Sequence, residues 1–85
     1  MYLHLGSSVI VPEADVVGIF DLDNTTGSHI TRRFLNEAEK AGRVTAVSDE
    51  LPKSFVLCED GGVFTVYLSQ LSSQTLLKRS ENLLV

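Results

Sequence analysis

Val16-Val17-Gly18-Ile19-Phe20-Asp21-Leu22-Asp23-Asn24-Thr25 is the stretch whose reading decides the fold. A continuous apolar run of strand length passes straight into the polar cluster Asp21 to Ser28, so a strand ends here and carries Asp21-x-Asp23-x-Thr25 at its tip. Such a tip suits two architectures. In a doubly wound parallel sheet it holds catalytic carboxylates. In a small α+β domain it is a polar connection into a helix N-terminus, where acidic groups favour the helix dipole.

The first architecture resembles the haloacid dehalogenase-type phosphatases, in which Asp21 would be the nucleophile and Asp23 its acid/base partner beside magnesium. That chemistry also needs a Ser or Thr, a Lys or Arg on the phosphate, and a second acidic pair to complete the metal site. Those parts sit on successive βαβ units of roughly 30 residues or more each. An 85-residue chain leaves too little after Asp23 to supply them. Asp49-Glu50 and Glu59-Asp60 fall in turn sequences, and neither pair ends a parallel strand. The stretch is therefore read as a strand-to-helix connection, with no enzyme, catalytic residue or small-molecule substrate expected.

Upstream, Tyr2 to Leu5 and Val9 to Val11 are β-like runs around Gly6-Ser7-Ser8, an N-terminal hairpin closed by Pro12. Downstream, Ser28 is placed to cap a helix reaching about Ala41, in which Ile30, Phe34, Ala38 and Ala41 recur at helical spacing with Leu35 beside them. Gly42 suits its C-terminal cap. Arg43 to Val47 reads as a strand, Ser48 to Pro52 as a polar break. Ser54 to Cys58 and Val63 to Leu68, flanking Glu59-Asp60-Gly61-Gly62, read as a hairpin. Ser72 or Ser73 caps a short helix with Leu76, Leu77, Lys78 and Arg79, and Ser80 to Val85 form a tail. The fold class is α+β, a small single domain over 1–79, mostly antiparallel β-sheet with one central helix and a short C-terminal helix. Its order is β-β-β-α-β-β-β-α.

A chain of 85 residues sits near the lower limit for burying enough apolar surface alone, and one cysteine offers no disulfide to help. Oligomerisation is expected. The 44% hydrophobic fraction indicates a packed core rather than disorder. Seven Lys and Arg against eleven Asp and Glu give a net charge of -4, which argues against indiscriminate polyanion binding but not against a local basic patch. No apolar run has the length of a membrane span, and the N-terminus lacks the pattern of a secretory leader, so a cytoplasmic location and no membrane partner are expected.

His4, His29 and Cys58 lack the spacing of a zinc site, and no cofactor or metal is expected. Cys58 reads as a small core residue, and Gly61-Gly62 as a turn and not a phosphate loop. The basic residues are more informative. Arg32, Arg33, Lys40 and Arg43 gather on and just after the central helix, Lys53 follows Pro52, and Lys78 and Arg79 lie on the last helix. Collected on one face, these residues can hold DNA phosphates, which positions a protein without reading bases. Dispersed among Glu37 and Glu39, they form an ordinary solvated surface.

Across residues 1–79 the pattern resembles the small bacterial family of extracellular matrix regulators, the RemA/RemB family. The resemblance is carried by Leu5-Gly6, Val9-Ile10-Val11, Val16 to Asp21, Ile30 to Leu35, Glu37-Ala38 and Ala41-Gly42. It continues through Pro52 to Leu57, Val66 to Ser69 and Thr75 to Arg79. Phe20-Asp21 and Leu51-Pro52-Lys53-Ser54 point to the RemB-like branch. The resemblance implies a ring-forming homo-oligomer that regulates transcription of biofilm matrix genes by binding duplex DNA. It places Arg32, Arg33 and Lys53 at DNA-contacting positions. Where the DNA-binding branch carries adjacent arginines in the turn before Lys53, this chain has Glu50 and Leu51, and a carboxylate there repels phosphate. A structural or partner-binding oligomer of the same fold, without DNA binding, is the alternative.

Overall fold

The computed structural model describes residues 1–22 and 29–83. Strands β1 (Tyr2–Gly6) and β2 (Val9–Pro12) pair antiparallel as a separate hairpin. A 3-10 turn at Glu13–Asp15 leads to β3 (Val16–Asp21). Helix α1 (His29–Lys40), β4 (Val44–Ala46), β5 (Ser54–Asp60), β6 (Val63–Ser69) and helix α2 (Ser73–Leu83) follow. The order matches the reading of the sequence. The strands form two sheets, the hairpin and a four-stranded sheet in the order β3-β5-β6-β4. Its last pairing, β4 with β6, is parallel.

β3 is an edge strand paired antiparallel with β5, so the Asp21 tip does not end a strand of a doubly wound parallel sheet. Asp23, Asn24, Thr25 and the expected cap Ser28 lie outside the described residues. The β5–β6 hairpin turns on Gly61 and Gly62, both at positive φ (59° and 85°), the conformation a two-residue type I′ turn demands. Glu59, read as a turn residue, is the penultimate residue of β5, and its carboxylate accepts the Gly62 N–H at 2.8 Å.

α1 ends as its sequence predicts. Gly42 takes φ +73° and donates to Glu39 O, while Arg43 N–H reaches back to Ala38 O at 2.9 Å, the paired bonds of a Schellman cap. Ser72 caps α2, its Oγ accepting from Thr75 N–H at 3.1 Å. α2 continues to Leu83, so residues 80–83, expected in a tail, are helical.

Side chains alternate across the sheet, which separates two faces. Val56 and Cys58 point to one face with Ile19 and Tyr67; Phe55 and Leu57 point to the other with Phe20, Val66 and Leu68. The first face holds the core. There Leu3, Leu5 and Val11 of the hairpin, Val47, Val56, Cys58 and Leu76 of α2 pack together, all nearly inaccessible. Two buried serines seal its edge: Ser69 Oγ donates to Leu5 O, and Ser54 Oγ donates to Leu71 O at 2.8 Å. α1 lies against β4 and β6 on the second face and adds no residue to that core. The result is three layers: α1, the four-stranded sheet, then the hairpin with α2.

The apolar stripe read on α1 is consequently half used. Leu35 and Ala38 are partly buried, yet Phe34 is exposed and Ile30 is 82% exposed. A short sheet with its main core on the far side gives this helix too little apolar surface to cover its stripe.

Candidate nucleic-acid interface

Helical spacing puts Arg32, Asn36 and Lys40 on one line along α1, with Arg33 and Glu37 on the adjacent line. Together these five line a shallow depression on the outer face of the helix. Arg33 Nε meets Glu37 Oε1 at 3.3 Å, with the two side chains 83% and 67% exposed. So open an i,i+4 pair is weak and salt-screened, and it leaves the guanidinium able to exchange its carboxylate for a phosphate.

Arg43 belongs to a different surface. Its carbonyl accepts the Val66 N–H at 2.8 Å, and the residue lines an apolar groove with Phe34, Ala38, Ala41, Phe64 and Val66. Glu37 borders that groove as well as the basic depression.

Lys53 sits at one end of the sheet. Its N–H donates to Ser69 O at 2.8 Å and its carbonyl accepts from Leu22 N–H at 3.1 Å, which ties it to the ends of β6 and β3. Its side chain is exposed where the chain leaves β3 towards α1. Just before it, Asp49, Glu50 and Leu51 are exposed, in a turn held by Glu50 N–H to Ser48 Oγ at 3.1 Å.

Lys78 and Arg79 are exposed on α2, which covers the opposite sheet face from α1. Arg79 Nη1 donates to His4 O at 3.3 Å and lines a groove with Tyr2, Ser7 and Gln70. Nothing in the sequence marked this groove, because Gln70 and Ser7 meet through tertiary contacts alone.

Of the seven basic residues read from the sequence, one subunit thus gathers Arg32, Arg33 and Lys40. Arg43, Lys53 and the Lys78-Arg79 pair occupy separate places. His4 is exposed on β1, Cys58 is buried on β5, and among the described residues no three His, Cys, Asp or Glu side chains converge on a metal site. Burial, helped by the Asp15 carboxylate, pushes the Cys58 thiol up to about 11, which keeps it protonated and unreactive near neutrality.

The sequence profile of the family described as "RemA-like: Extracellular matrix regulatory protein A-like" matches residues 2–79. The chain is also 38% identical over 81 residues to the extracellular matrix regulatory protein B of Bacillus subtilis (strain 168), across 95% of this chain and 91% of that protein.

Proposed function

Because the chain belongs to the RemA-like family of extracellular matrix regulatory proteins, we propose that it regulates matrix genes in the cytoplasm, as a ring of identical copies that holds duplex DNA. The observation that carries this reading is the exposed cluster Arg32, Arg33 and Lys40 on the outer face of α1. All three residues are exposed on the outer face of the helix, where phosphate oxygens can approach them. One such cluster is weak, and a net charge of -4 opposes it at long range. Repetition around a ring multiplies the contacts without any new chemistry. Lys53, Arg43, Lys78 and Arg79 contribute only where the assembly leaves them facing the duplex.

Fluorescence anisotropy of a labelled duplex across a salt series tests this reading. Binding is expected at low salt, with log affinity falling linearly as log salt rises by about 0.9 for each phosphate engaged. Arg32→Ala with Arg33→Ala should lower both the affinity and that slope. No binding at low salt would remove the mechanism.

A second reading is favoured by the exposed Asp49 and Glu50 beside Lys53. Carboxylates at that place suit a partner-binding assembly that has given up DNA. An assembled protein that leaves the duplex free at every salt concentration is its expected signature.

A further inference from the structure

Leu51 is 86% exposed at the tip of the turn between β4 and β5, although a leucine gains by leaving water. Its neighbours make it a polarised knob, with Asp49 and Glu50 on one side and Lys53 on the other. Elsewhere the same molecule carries a matching depression. The groove of Phe34, Ala38, Ala41, Phe64 and Val66 has a volume of about 210 Å³, enough to admit an aliphatic side chain. Phe64 on its wall remains 42% exposed, and the groove has a cation, Arg43, and an anion, Glu37, on its lining.

Knob and groove cannot meet within one subunit. The turn joins the sheet at Lys53 and Ser69, the end of β6, whereas Phe64 pairs with Glu59 near its start. Five residues of strand separate these levels by about 17 Å. A projection at one end of a sheet and a fitting depression at the other define a heterologous contact, which repeats from copy to copy and closes when the rotation between copies allows.

We propose that the turn of residues 48–52 is the self-assembly element of this protein, with Leu51 of one copy seated in the Phe34–Phe64 groove of the next. Charge fixes the orientation: Asp49 and Glu50 approach the neighbour's Arg43, and Lys53 approaches its Glu37. The apolar tip supplies the attraction, and the opposite charges exclude the reversed insertion. The inference rests on the self-assembly part of the reading above and names its contact. It also assigns a use to the exposed Glu50 and Leu51.

The test is the mass of the full chain in solution, by size-exclusion chromatography with light scattering. Leu51→Asp is expected to bring the assembly down to the 9.3 kDa subunit with an unchanged circular dichroism spectrum, because the residue is almost wholly exposed in its own copy. Arg43→Glu should weaken assembly, and adding Glu50→Lys to it should restore the mass. Mixing a Leu51→Cys copy with a Phe64→Cys copy should give a disulfide-linked pair on mild oxidation. A wild-type assembly left intact by Leu51→Asp, with no such crosslink, would overturn this contact while leaving the ring in place. A wild-type chain that is monomeric at all concentrations would sink the ring and the contact together.

Discussion

Gly61 and Gly62 close the β5–β6 hairpin at φ values that an L side chain resists. A Cβ at Gly62 would meet nothing within 4 Å, so any penalty for Gly62→Ala is purely backbone strain. Urea unfolding should register a loss of about 1 kcal/mol, the cost of forcing a residue with a Cβ into the left-handed region. At Cys58 the governing quantity is charge. Its thiol rises from an ordinary 9.0 to about 11, so the folded state keeps a proton that the unfolded chain loses first. That contribution to stability is fully present below pH 9 and is lost as the pH rises towards 11. Stability curves of wild type and Cys58→Ala should therefore differ in slope only on the alkaline side. Near pH 8 a thiol reagent should label Cys58 only on unfolding.

Among the elements, the two helices are stabilised in different ways. α2 is anchored in the core by Leu76, which is fully buried, and started by the Ser72 cap. Leu76→Ala should cost about 2–5 kcal/mol and Ser72→Ala about 0.5–2 kcal/mol in thermal or urea unfolding. α1 makes no contribution to that core, and its Phe34 is part exposed. Phe34→Ala should therefore cost less in the dissociated subunit than the 3–5 kcal/mol of a buried phenylalanine. The missing remainder should reappear as weaker assembly. Arg33 on α1 follows the same logic: its pair with Glu37 is open to solvent, so it exchanges partners readily.

For the whole molecule, size dominates. Eighty-five residues bury a modest core, and the described surface leaves Ile30, Leu51, Val63 and Phe64 in water. Association that covers these side chains stabilises the folded state by mass action, so the midpoint of thermal unfolding should rise with protein concentration. The Leu51→Asp variant should show a midpoint independent of concentration. This behaviour separates the contribution of assembly from that of the subunit's own core. Among the described residues no helix is long and apolar enough to cross a membrane.

Period, punctuation and caps are local properties, and the sequence by itself determined what depends on them: the order of elements, the Gly61-Gly62 turn, the Gly42 cap, a serine cap at Ser72 or Ser73, and the family pattern. It also placed Arg32, Arg33 and Lys40 on one side of a helix, because 3.6 residues per turn fixes that relation. Which side of the sheet receives each helix is a different matter. The stripe of α1 looks in sequence like any core-facing stripe, and tertiary packing alone decided that the hairpin and α2 take the core while Phe34 stays half in solvent. The same packing separated Lys78 and Arg79 from the other bases and set Leu51 and the Phe64 groove at opposite ends of one strand. These are long-range relations between residues that share no periodicity, so their free energy is decided by competition for a limited buried area and leaves no mark on any single segment.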